Sequence, residues 1–134
     1  MGRVMALDPG TKRVGVAISD SGRTLGFPRP ALSVDDGIYD AVAAIASEEM
    51  VDLIVIGRPT SLSGRETSST EMADEFILRV QQAIPGVKCS FFDERLTTVS
   101  AQKSLREAGV RSKDQRPIID SATAVVILQS FLDA

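Results

Sequence analysis

Histidine is absent from this 134-residue chain, and cysteine occurs once, as Cys89. A zinc site, a Ser-His-Asp triad and a Cys-His pair each need imidazole or several thiolates, so all three are excluded. A lone cysteine forms no internal disulfide; Cys89 falls in a predicted strand, reads as a small core residue, and suits a reducing cytoplasm. Aromatic residues make up only 4% of the chain. Tyr39 falls in an acidic helix and the five phenylalanines read mostly as core, so no platform for stacking bases is expected. Long apolar runs are missing as well. The longest, Leu53 to Ile56 and Ala122 to Leu128 (broken by Thr123), fall far short of the roughly 20 residues a membrane helix needs. Asp8 interrupts the apolar start and no small-residue cleavage site follows, which argues against a secretory signal. A soluble, cytoplasmic protein without a membrane partner is expected.

What remains is carboxylate, hydroxyl and Lys/Arg chemistry on an aliphatic scaffold. A hydrophobic content of 43% in 134 residues fits one domain, residues 1–134, around one α/β core. The net charge of −3 argues against non-specific nucleic-acid binding by the whole surface. Its distribution is uneven. Asp35, Asp36, Asp40, Glu48, Glu49 and Asp52 share a segment free of Lys and Arg, whereas Arg95, Lys103, Arg106, Arg111, Lys113 and Arg116 face only Glu107 and Asp114. The basic run reads either as a solvated helix surface or as a phosphate-facing patch.

Hydrophobic periodicity predicts strands at Arg3 to Leu7, Val14 to Ser19 and Arg23 to Phe27, then a helix carrying Ile38, Val42 and Ile45 behind a Ser33/Asp36 cap. A β-branched strand follows at Leu53 to Ile56. The next helix carries Met72, Phe76, Val80 and Ile84 and is stopped by Pro85-Gly86. Val87 to Phe92 forms the fifth strand, after which Thr97-Thr98 caps a helix through Ala101, Leu105 and Ala108, and a last helix spans Ser121 to Leu132. This order predicts a mixed five-stranded sheet, three antiparallel strands and then two parallel crossover strands, flanked by helices. Ligands gather at the carboxyl ends of such parallel strands.

Three acids stand at the ends of these core elements. Asp8 enters a Pro-Gly turn from an apolar strand, Glu94 follows the fifth strand, and Asp120 opens the last helix. Three such oxygen donors suit Mg²⁺ or Mn²⁺. Two of them also have a structural reading, Asp8 as a turn carboxylate and Asp120 as a helix cap. Consecutive strand residues face opposite ways, so only one of Asp93 and Glu94 aims at Asp8. The longer Glu94 is better able to cover the roughly 10 Å of two strand spacings, and Asp93 reads as a cap.

Four segments carry a family resemblance: Leu7-Asp8-Pro9-Gly10-Thr11-Lys12-Arg13-Val14-Gly15-Val16-Ala17, Val55-Ile56-Gly57-Arg58-Pro59 with Gly64, Asp93-Glu94-Arg95-Leu96-Thr97-Thr98, and Asp120-Ser121-Ala122-Thr123-Ala124 through Ile127-Leu128-Gln129. In this order they resemble the motifs of the YqgF family, over nearly the whole chain. The resemblance implies a ribonuclease H-like fold and a nuclease of pre-16S rRNA, described earlier as a Holliday-junction resolvase. The family's acidic trio carries over to Asp8, Glu94 and Asp120 as catalytic and metal-binding residues. Pro9 stands where an aromatic residue is common in the family, and Arg58 where Leu is common.

Phosphodiester hydrolysis needs a nucleophilic water and relief of charge on the phosphorus, and paired divalent ions about 4 Å apart supply both without histidine. Substrate phosphates would meet Lys12 and Arg13 at the first hairpin, Arg58 and Arg65 in the Ser/Thr-rich loop to Ser69, and Arg95, Arg111, Lys113 and Arg116. The expected activity is that of a metal-dependent endonuclease acting on ribosomal RNA precursor, as a monomer or weak homodimer. A junction resolvase would share the centre and need a dimer. A non-catalytic nucleic-acid-binding factor has no use for three acids at core termini, and an actin-like ATPase needs a second domain for which there is no room.

Overall fold

The computed structural model describes residues 2–59, 68–97 and 121–134. The expected basic helix after Thr97, the loop residue Arg65 and the acid Asp120 lie outside these residues, as do Arg111, Lys113 and Arg116. Five strands, β1 (Arg3–Pro9), β2 (Arg13–Ser19), β3 (Gly26–Ser33), β4 (Val51–Arg58) and β5 (Lys88–Asp93), form one sheet in the order β3-β2-β1-β4-β5. β1 is antiparallel to β2 and β2 to β3, while β4 lies parallel to β1 and β5 parallel to β4. This is the mixed sheet read from the sequence. Helices α1 (Ile38–Glu48) and α2 (Ser68–Ala83) provide the two crossovers, and α3 (Ala122–Asp133) covers the opposite face. No helix among the described residues is long and apolar enough to cross a membrane.

Two cores follow from the period-2 alternation of the central strands. Met5, Leu7, Val14, Val16, Ile54 and Ile56 face α1 and α2, packing on Val42, Phe76 and Val80. Val4, Ala6, Ala17 and Val55 face the other way, onto Ala124, Val125, Ile127 and Leu128 of α3. The second layer uses smaller strand residues because α3 is itself almost wholly apolar and lies close. A Cβ on Gly26 would come within 2.9 Å of Leu128 Cδ2.

The third strand and the first cap differ from expectation. Asp20 accepts hydrogen bonds from the backbone N–H groups of Thr24 (2.7 Å) and Leu25 (3.0 Å), and Arg23 adopts a φ of 58°, so the connection consumes residues assigned to a strand. β3 instead runs through Pro28 and Pro30, which an edge strand tolerates because it can leave N–H positions unpaired. Helix α1 begins after Gly37, whose N–H is bound by Asp35 Oδ1 at 2.9 Å; neither Ser33 nor Asp36 caps it. The phenylalanines are also less uniformly internal than expected, since Phe27 and Phe91 are 48% and 40% exposed.

Candidate active site

Asp8 occupies the penultimate position of β1 and continues the Val4, Ala6 row, so its carboxylate belongs to the α3 face. Its cross-strand neighbour is Gly15 of β2, which adds no side chain beside it. The strand then turns sharply. A Cβ on Gly10 would lie 2.5 Å from the carbonyl oxygen of Arg13, so this close approach requires glycine. Burial pushes the Asp8 carboxyl up from its ordinary 3.8 to about 6.

Glu94 reaches the same face from the far side of β4. It follows β5 directly and opens a short 3₁₀ turn, Glu94–Leu96, capped by Asp93, which accepts from the Arg95 N–H at 2.9 Å. Asp93 therefore has the capping part and Glu94 is released toward the sheet. Its stem lies over Gly57, where a Cβ would be 3.5 Å from both Cγ and Cδ of Glu94 and 2.5 Å from Cδ1 of Ile127. The Glu94 carboxyl is raised to about 7, first by burial and then by the negative charges of Asp8 and Asp93. Asp8 and Glu94 thus interact across β4, and among the described residues neither carboxylate has an ion-pair or hydrogen-bond partner.

The third expected acid, Asp120, lies outside the described residues, and among those residues no group of three acids gathers around one point. Its sequence neighbour Ser121 is fully buried at the start of α3. The Ser121 hydroxyl accepts from the Val16 N–H (2.9 Å) and donates to the Arg29 carbonyl (2.6 Å), at the point where the β2–β3 register shifts. That bond fixes α3 to β2 one residue beyond Gly15, the partner of Asp8. Neither this role of Ser121 nor that of Gly57 was read from the sequence, although both lie inside motifs singled out there.

Lys12 and Arg13 are exposed at the β1–β2 turn, directly after the acid. Arg58 and Arg95 are engaged within the chain: Arg58 Nε donates to Asp74 Oδ1 at 2.9 Å with its guanidinium 5.6 Å from the Phe91 ring centre, and Arg95 Nη2 meets Asp93 Oδ2 at 2.6 Å. Arg95, expected among the phosphate contacts, is thus paired with a carboxylate of its own chain.

A five-stranded mixed sheet of this order, with helices on both faces, has the ribonuclease H-like fold. In its fold the chain is similar to Thermus thermophilus RuvC in complex with Holliday junction substrate (TM-score 0.66, 11% identity, 97% of this chain and 92% of that one). It is likewise similar to the fowlpox virus resolvase bound to Holliday junction DNA (TM-score 0.60, 12% identity, 98% and 97%). Residues 2–134 match the family model of RuvX, described as Holliday junction resolvase. Relatives from Corynebacterium jeikeium (40% identity, 98% of this chain, 86% of the relative) and Mycobacterium tuberculosis (41%, 98%, 79%) bear the name "Putative pre-16S rRNA nuclease". The chain belongs to the RuvX family, which is also called YqgF.

Proposed function

We propose that residues 1–134 act as one nuclease domain that hydrolyses phosphodiester bonds of pre-16S rRNA with the help of Mg²⁺ or Mn²⁺, using Asp8, Glu94 and Asp120. The observation that carries this reading is the pairing of Asp8 with Glu94. Two half-buried carboxylates interact across β4 with no cationic partner among the described residues, an arrangement that costs stability unless a positive group is held between them. The donor set is all oxygen and lacks imidazole and thiolate, which fits hard divalent ions rather than zinc. Such ions, when bound, activate a water and neutralise the charge that builds on the transferring phosphorus.

The chain's own residues then divide the work. Asp8, on the central strand, is the acid that Glu94 meets across β4. Glu94 closes one side, kept in place by Gly57 beneath it and by the Asp93 cap before it. Asp120 precedes Ser121, whose double hydrogen bond holds the start of α3 against β2, and this supports the third acid's approach to Asp8. Lys12 and Arg13, at the same end of the sheet, would meet backbone phosphates and orient the strand. Arg65, Arg111, Lys113 and Arg116 are assigned to the same task on their sequence position alone. The protein would act in the cytoplasm as a monomer or weak homodimer.

A second reading, cleavage of four-way DNA junctions by a dimer, is favoured by the similarity of the fold to RuvC in complex with Holliday junction substrate. Incubating the purified protein with precursor rRNA and with a four-way junction, each with Mn²⁺ or EDTA, separates the two. Cleavage of the RNA alone, abolished by EDTA, supports the first reading; cleavage of the junction alone replaces it with the second.

A further inference from the structure

The same end of the sheet carries a second hollow, on the face away from Asp8 and Glu94. A cavity of about 370 Å³ opens between the β1–β2 turn, the start of α1 and α2. Val14, Ile38 and Phe76, all nearly inaccessible to solvent, form its floor, and Tyr39 forms a wall with its ring 5.7 Å from that of Phe76. Glu75 and Arg79 stand at the mouth, exposed and paired with each other at 3.2 Å, and the Arg79 guanidinium lies 6.0 Å from the Tyr39 ring centre. Pro9, Gly10 and Thr11, which directly follow Asp8, complete the rim.

We propose that this cavity receives one unpaired nucleobase of the polynucleotide substrate, next to the phosphate that Asp8 and Glu94 address; this rests on the nuclease reading above. The volume falls in the range of small-ligand cavities. Flat, apolar walls with an aromatic ring suit the face of a base, and stacking of this kind tolerates any base. The rim supplies what a base edge needs: the Glu75 carboxylate accepts from an amino or ring N–H, and the Arg79 guanidinium donates to a carbonyl or ring nitrogen. The exposed Lys12 and Arg13 on the adjoining turn match the phosphates on either side of such a base. Asp8 and Pro9 are consecutive on β1 and face opposite ways, so a strand crossing the end of the sheet passes from the acids to the cavity. An apolar peptide would leave the charged rim and the neighbouring cations without a function.

Tyr39 is the only tyrosine and tryptophan is absent, so intrinsic emission reports on this cavity alone. The test titrates the full chain, in EDTA so that nothing is cleaved, with a short single-stranded RNA and with its abasic analogue, which keeps every phosphate. Saturable quenching by the RNA and none by the analogue is expected. Binding of end-labelled RNA followed by anisotropy should be unchanged within about twofold in Tyr39→Phe, which keeps the ring. It should weaken about tenfold in Tyr39→Leu, which keeps the apolar bulk without it. Equal quenching by both nucleic acids, quenching by neither, or wild-type affinity in Tyr39→Leu overturns the proposal. Because binding is read without metal, loss of this result and loss of cleavage with Mn²⁺ are independent outcomes.

Discussion

Gly57 and Ile127 meet so closely that no side chain fits between them: a Cβ on Gly57 would lie 2.5 Å from Ile127 Cδ1. The same added methyl would touch Glu94 at 3.5 Å. Gly57→Ala is therefore expected to cost about 1–3 kcal/mol through overpacking against Ile127 and to lower cleavage as the strand beneath Glu94 shifts to relieve it. Pairing it with Ile127→Val, which removes the offending methyl, should return part of both losses. Urea denaturation and cleavage rates of the two single variants and the double variant check this, and strictly additive losses would contradict the contact.

Asp8→Asn should abolish cleavage and stabilise the fold at the same time. The folded-state pKa of Asp8, about 6, lies above its ordinary 3.8, so the folded chain holds the proton more tightly than the unfolded one. The resulting destabilisation is absent near pH 4, grows as pH rises, and is complete above about pH 6. Its upper limit is about 3 kcal/mol at ~1.4 kcal/mol per tenfold change in proton affinity, reduced by whatever water reaches the site. Denaturation in EDTA at pH 4.5 and pH 8 should show the variant's advantage growing with pH. Glu94→Gln should behave alike in direction, over a window ending near pH 7.

Metal binding should titrate with the same two acids. A protonated carboxyl does not ligate a cation, so affinity for Mn²⁺ should climb as pH rises through about 6 and about 7 and level off above. At a free concentration about a hundred times Kd, the ion should add ~2.7 kcal/mol of stability, and nothing in Asp8→Asn. Isothermal titration across pH 5–8 measures both; an affinity independent of pH would argue against these ligands.

Ser121→Ala removes an acceptor from the buried Val16 N–H and a donor from the Arg29 carbonyl. A loss of about 1–3 kcal/mol is expected from the unpaired groups. Cleavage by the folded variant should fall further than stability alone explains, because the start of α3 loses its attachment beside Asp8. Rates measured well below the variant's melting temperature separate the two effects.

Substrate grip by the basic run is tested by Arg111→Ala with Lys113→Ala. If both side chains meet phosphates, each loss should flatten the log–log salt dependence of RNA binding by roughly 0.7–0.9, with little change in cleavage at saturation. An unchanged slope would shift the substrate path to Lys12, Arg13 and the Arg58 to Ser69 loop.

Local pattern determined much of this protein. The alternation of Val14, Val16 and Ile18 with smaller residues, the Pro-Gly turn after Asp8 and the helical spacing of Ile38, Val42 and Ile45 each encode their element within a few residues, so the order of the sheet was legible in the sequence. The choice of Glu94 over Asp93 was legible too, because strand residues alternate faces. What the sequence left open depended on residues far apart in the chain. That Ser121 would bridge Val16 and Arg29 and that Arg58 would be taken up by Asp74 are decided by packing between elements. The raised pKa of Asp8 comes from burial, and that of Glu94 from burial and then from the charges of Asp8, across a strand that belongs to neither, and of Asp93. Tyr39, in a helix whose charge suggested only solvent, became the wall of a cavity because α2 brought Phe76 and Arg79 against it.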